Sequence, residues 1–177
     1  MIVTIPRCLG AAFTLVLLLT GPAPVGGQDF GRRCAEPPAP VAAKRDAIRQ
    51  AAAQGDLDAL AALANPDDSF GFGDVEDIGK AWTGWKQQGT DMAALATALL
   101  ALDCSVYRSE NTAYYSWPAA VDLPVDALSE AEKDKIAAIN GGDFAAAYLE
   151  DPETGYYVGW RIVITEDGRW IGFVAGD

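Results

Sequence analysis

The side chains able to do chemistry in this chain are nearly all carboxylates: 25 Asp and Glu stand against 13 Lys and Arg, and histidine is absent. Without an imidazole there is no Ser-His-Asp or Cys-His catalysis, no His-based metal site and no ordinary switch near neutral pH. An enzyme built here would work through carboxylates, Tyr, Lys or a bound cofactor. Two acids can hydrolyse a glycosidic bond when they face each other ~5–10 Å apart across a cleft. Glu150, Asp151 and Glu153, beside Tyr156-Tyr157, are the acids to inspect first for that role. So many acids produce such a pair by chance, however, and no catalytic residue is assigned. No cofactor is expected.

The loop acids Asp67, Asp68, Asp74, Glu76 and Asp77 offer oxygen ligands for a hard cation. Calcium loops space their ligands at alternate positions, with a turn Gly and a distal Glu. Adjacent Asp67-Asp68 followed by a gap to Asp74 does not match, so the segment reads as a solvated loop whose Asp74 or Asp77 caps the next helix. No metal ligand is assigned. For binding, the candidates are Tyr114, Tyr115 and Trp117, which precede Pro118 at the end of a strand. Aromatics there can floor a groove for peptide or glycan, with core packing as the bland alternative. Trp82 and Trp85, three apart on a helix, and Trp160 and Trp170, on a hairpin, read as core.

Residues 1–27 read as a cleavable secretory signal. A basic start ending at Arg7 leads into an apolar run, Cys8 to Gly21. Pro22, Pro24 and the small residues Val25-Gly26-Gly27 follow, before Gln28. At ~1.5 Å per residue the run reaches only ~21 Å, short of a ~30 Å hydrocarbon core, so no membrane anchor is expected after cleavage. Two cysteines then remain, Cys34 and Cys104. In an oxidising compartment they are expected to form a disulfide, closing a loop of about 70 residues worth up to ~4 kcal/mol. The formal net charge of −12 repels phosphate backbones, so nucleic acid is not an expected partner. No Asn-x-Ser/Thr sequon occurs, which together with the Ala-, Gly- and Asp-rich composition points to a bacterial periplasmic or secreted protein.

The elements that would position these residues run from helices to strands. Residues 28–40, with three prolines, read as an extended lead-in, and 41–177 as a single domain. Val41, Ile48 and Ala52 form a helical stripe ended by Gly55; Asp56 caps a second helix that stops at Asn65-Pro66. Residues 65–79 read as loop. Helices follow through Trp82 and from Asp91 to Leu102. Strands are expected over Cys104–Arg108 and Ala113–Trp117, then a helix behind the capping box Ser129/Glu132. Asp167-Gly168 between β-rich runs marks a hairpin. A two-residue turn pairs Glu166 with Arg169, Ile164 with Ile171, Ile162 with Phe173 and Trp160 with Ala175. Trp170 then falls on the other face, with Arg161, Val163, Thr165 and Val174. The fold class is α+β: a helical N-terminal layer packed on a small curled antiparallel sheet that ends in this C-terminal β-hairpin.

The chain end, Asp167-Gly168-Arg169-Trp170-Ile171-Gly172-Phe173-Val174-Ala175-Gly176-Asp177, occurs together with Phe70-Gly71-Phe72-Gly73, Tyr115-Ser116-Trp117-Pro118 and a Tyr-Tyr-Val-Gly strand. That combination resembles a family of exported bacterial proteins without an assigned function. The resemblance implies an exported single domain and brings no catalytic residue. Functionally, the expectation is a non-catalytic exported domain binding a protein, peptide or cell-wall partner. The alternatives are a carboxylate-only hydrolase and a structural envelope component without ligand.

The exported protein should begin at Gln28, with Cys34 and Cys104 joined. Intact mass of the secreted or periplasmic fraction should match that start and rise by the mass of two hydrogens on reduction. Retention of Met1 to Gly27 would sink the export reading.

Overall fold

The computed structural model describes residues 31–65, 68–71 and 77–176. The signal, its cleavage point, and Asp67, Asp74 and Glu76 lie outside these residues. Helix α1 (Ala39–Gln54) starts behind Pro38, with Pro40 in its first turn, and ends on Gly55 at φ 65°. Its first residues belong to the segment expected to be extended, because proline is tolerated where a helix has no intrahelical N–H partner to lose. Asp56 accepts from the Ala59 N–H to cap α2 (Leu57–Ala61), which stops short of Asn65-Pro66. Asp77 caps α3 (Ile78–Gln87) through Lys80, and Asp91 caps α4 (Met92–Leu100) through Ala93 and Ala94. Ser129 and Glu132 close both arms of the capping box at α5 (Glu130–Ile139). Each cap satisfies donors that would otherwise be orphaned at the helix start.

The main sheet holds β1 (Arg32–Arg33), β2 (Ser69–Gly71), β3 (Ser105–Ser109), β4 (Thr112–Trp117), β7 (Arg161–Thr165) and β8 (Trp170–Val174), in the order β1-β3-β4-β7-β8-β2. A separate ribbon pairs β5 (Tyr148–Leu149) with β6 (Tyr156–Tyr157). All pairs in the main sheet are antiparallel except β2 with β8, which run parallel. Helices packed on a mainly antiparallel sheet that carries the C-terminal hairpin make the fold α+β. The segment 65–79, expected to be loop throughout, supplies the edge strand β2. Three residues, one of them Gly, are too few to show an alternating pattern.

The hairpin departs from its expected geometry. Thr165 N–H donates to the Arg169 carbonyl at 2.9 Å and Gly168 N–H to the Thr165 carbonyl at 2.8 Å, so the loop has three residues, Glu166-Asp167-Gly168. Gly168 takes φ 85° and Asp167 has no positive φ, which rules out the two-residue type I′ turn. Ile164 therefore faces Trp170 instead of Ile171, and Glu166 is not paired with Arg169. One extra residue on β8, Ile171, then shifts the register, giving Val163 with Gly172 and Ile162 with Phe173. The β-bulge undoes the slip that a three-residue turn imposes. It also turns Trp170 into the core, fully buried, and leaves Ile171 half-buried.

The largest apolar cluster lies between the helical layer and this face of the sheet. Trp170 meets Phe70 edge-on at 5.0 Å and Trp82 at 6.1 Å, while Phe173 meets Trp82 at 5.7 Å and Trp160 at 5.8 Å. A second cluster gathers Ala120, Leu128, Ile136, Ala147, Tyr148 and Tyr157. Two ties hold the N-terminal segment down. The Cys34–Cys104 disulfide spans a Cα–Cα distance of 5.4 Å, within the ordinary range. Arg33 donates to Glu132 at 2.6 Å, to Asp103 at 3.1 Å and to the Ala127 carbonyl at 2.7 Å. The Arg33 hydrogen bond holds the Glu132 carboxyl down at about 2, against an ordinary 4.5.

Phe173→Ala should cost about 3–5 kcal/mol, because it empties the centre of the aromatic cluster. Gly168→Ala should destabilise too: its φ is left-handed, and a Cβ there would stand 2.8 Å from the Pro40 carbonyl oxygen. Urea unfolding measures both. A chain cut after Glu166 that still melts cooperatively near the wild-type temperature would show the hairpin to be dispensable.

Candidate functional site

The sheet's other face starts polar. Ser105 and Ser116 are cross-strand partners on β3 and β4, and both are buried. Beyond Pro118 the chain makes a short turn of 3₁₀ helix, Ala119–Val121, which packs on both strands. This brings Asp122 over the two serines. The Ser105 hydroxyl donates to its carboxylate at 2.6 Å, and Ser116 donates as well. Burial pushes the Asp122 carboxyl above the usual range, and the two hydroxyls pull it only partly back. Gly31 closes the stack from outside, donating its N–H to the Asp122 carbonyl at 3.0 Å. A Cβ on Gly31 would lie 2.3 Å from the Asp122 Cβ, so only glycine permits this approach.

Next to this latch lies an open cleft of about 610 Å³. Residues Ala120–Val125 form one wall, and the β5–β6 ribbon with its connecting residues Pro152–Gly155 forms the other. Tyr107 reaches it from β3. Four tyrosines line the cleft: Tyr107, Tyr148, Tyr156 and Tyr157. Tyr148 and Tyr157 stand edge to face, ring centroids 5.5 Å apart and planes at 89°. The Tyr157 hydroxyl donates to the Trp160 carbonyl at 3.0 Å, and burial raises its pKa. The Tyr148 hydroxyl is buried and makes no hydrogen bond among the described residues, and burial pushes it up to about 12, so it stays protonated. Tyr156 is 72% exposed and Tyr107 37%. Among the described residues, the lining includes the acids Asp122 and Glu153 and no Lys or Arg.

The residues picked out in the sequence divide between core, loop and cleft. Trp117 is buried in the main core and Tyr115 packs against it, so neither floors a groove. Tyr114 lies on the opposite face, beside its cross-strand partner Tyr107, but does not line the cleft. Of the three acids marked for hydrolysis, Glu153 lines the cleft, while the Asp151 carboxylate accepts from the Glu153 N–H at 2.8 Å and is spent within its loop. Glu150 sits at φ 66° and does not line the cleft. Asp68 pairs with the side chain of Asn65, and Asp77 is the cap of α3. Reading the sequence missed Tyr107, Asp122 and Tyr148. Alternation along the strand places Tyr107 beside Tyr114 and was signal enough for that one. Nothing local marks the other two.

Asp122 makes a pH prediction with a definite sign. Its proton is held more tightly in the folded chain than in the unfolded one. Its contribution to stability therefore falls as pH rises from the ordinary 3.8 through the raised folded value, and stays low above it. Asp122→Asn removes that cost and leaves every other titration in place. Its stability relative to wild type should rise with pH across the window, read by urea melts between about pH 3 and pH 8. A difference that does not change with pH would show that Asp122 titrates normally.

No family model, curated protein or solved structure matches the chain.

Proposed function

We propose that this is a non-catalytic exported domain, periplasmic or secreted, that holds a partner of peptide or cell-wall origin in the tyrosine-lined cleft. The observation that carries the reading is the exposure of Tyr156 and Tyr107 on a cleft that four tyrosines line. Exposed tyrosine rings supply broad apolar contact at low entropic cost. The disulfide supports an oxidising compartment. Among the described residues no helix is long and apolar enough to cross a membrane.

The hydrolase reading rests on the raised acid at Asp122 and the nearby Glu153. Against it, Asp122 already accepts two hydroxyls and lies under Gly31, so it is occupied as a structural latch.

Titrating the isotope-labelled protein with soluble cell-wall glycopeptides and with a synthetic peptide panel should shift amides of Tyr107, Leu123, Val125 and Glu153–Tyr157. Tyr156→Ala should weaken that binding at least about tenfold, ~1.4 kcal/mol, with the melting temperature preserved. Release of a shortened ligand by wild type would favour the hydrolase. Shifts confined to another surface would remove the cleft as the site.

A further inference from the structure

Resting on that reading, we infer that the group the cleft recognises is a primary ammonium carried on an apolar stem, as on a lysine side chain. The chemistry of the lining selects it. Four tyrosines contribute rings, and the negative faces of aromatic rings attract cations. Tyr148 and Tyr157 stand at 89°, so they form two perpendicular walls of an aromatic corner. Glu153 and Asp122 add negative charge, and no Lys or Arg among the described lining residues opposes a cation.

The exposure of two of the rings is the independent observation: Tyr156 is 72% exposed and Tyr107 37%. An ammonium has three N–H donors and nothing to accept with, so it pairs with the Glu153 carboxylate of the lining. The methylene stem would lie along Tyr156 and Tyr107, the exposed rings, as lysine stems do on apolar surfaces. An anionic ligand would meet two carboxyl groups in the lining, and a neutral sugar would gain no charge pairing from them. The overall charge of −12 draws a cation to the surface from a distance.

The experiment compares cationic and neutral isosteres on the full exported, disulfide-bonded protein. The probe is the capped tripeptide acetyl-Ala-Lys-Ala-amide, its control the same peptide with norleucine, and pentylamine presents the ammonium without a peptide. Binding is followed by amide shifts and by the Tyr148 ring signals. The lysine peptide should bind at least about tenfold more tightly than the norleucine peptide, with shifts at Tyr107, Tyr148, Tyr156 and Tyr157. Pentylamine binding as tightly as the lysine peptide would place all recognition in the amine. Weaker binding with the same shifts would add a contribution from the peptide backbone. Both outcomes support the inference.

Glu153→Gln, which keeps the shape and deletes the charge, should lower affinity for the lysine peptide several-fold and narrow its margin over the norleucine peptide. Tyr156→Ala should weaken both. Leu149→Ala, exposed and away from the cleft lining, should change neither. Equal binding of lysine and norleucine peptides at the cleft would overturn the ammonium inference and leave the binding reading standing. Cleft shifts with cell-wall glycopeptides but with none of the three probes would do the same. No cleft shifts with any ligand would overturn both.

Discussion

Trp170 and Phe173 lie three residues apart on one strand, yet both are fully buried on the same face of the sheet. A regular strand cannot do this, because alternate residues point to opposite sides. The extra residue at Ile171 makes it possible, and most of the architecture depends on that irregularity. With Trp170 turned inward, an aromatic cluster of Phe70, Trp82, Trp170 and Phe173 fills the space beneath the helices. Phe70 arrives on a parallel edge strand directly opposite Phe173, so the bulged strand also recruits the sheet's last member. Burial of Ile162, Ile164, Trp170 and Phe173, at roughly 1.5–3 kcal/mol for an aliphatic or Phe side chain, rivals the net stability of a domain this size. The rest of the helical layer packs against a surface that these residues define.

The opposite face poses a different problem, since its centre is built of serines instead of apolar side chains. Buried hydroxyls need partners, and Asp122 supplies a shared acceptor for two of them at the cost of desolvating its own carboxyl. The same latch fixes the chain after Pro118 and brings Gly31 across its back. Arg33, one turn of the path away, ties that lead-in to Glu132 and Asp103. The cleft thus has one wall fixed by a buried polar network and another made by a two-stranded ribbon. Its floor is formed where the second apolar cluster, with Tyr148 and Tyr157, comes to the surface. A rigid wall lowers the ordering cost of binding, which favours recognition by modest numbers of contacts.

The chemistry on offer at the cleft is narrow among the described residues. Histidine is absent from the whole chain, Cys34 and Cys104 are joined in one bridge, and the carboxyl of Asp122 is engaged by hydroxyls. The lining offers aromatic surface and the acids Asp122 and Glu153.

How much of this was legible beforehand follows from how local each signal is. Helix starts at Asp56, Asp77, Asp91 and Ser129 depend on a side chain reaching an N–H two or three residues away; spacing alone gave Asp56, Asp91 and Ser129, and left Asp77 to be told from Asp74. The lack of histidine catalysis is a matter of composition. The Cys34–Cys104 pair was legible by counting, since only two cysteines follow the expected signal. Hairpin existence was local as well, because Asp-Gly between β-rich runs demands a turn. Its register was not. A three-residue loop and a bulge together satisfy the same apolar face as a two-residue turn, and only packing against Phe70 and Trp82 decides that Trp170, not Ile171, goes inward. The cleft is the extreme case. Tyr107, Asp122 and the Tyr148–Tyr157 ribbon come from three separate segments, and no local rule marks that Asp122 and Tyr148 become neighbours of Tyr107 after the chain has crossed the sheet. Sequence by itself determined which chemistry the protein lacks and where its helices begin; tertiary structure decided which side chains share a surface, because that depends on contacts between residues far apart in the chain.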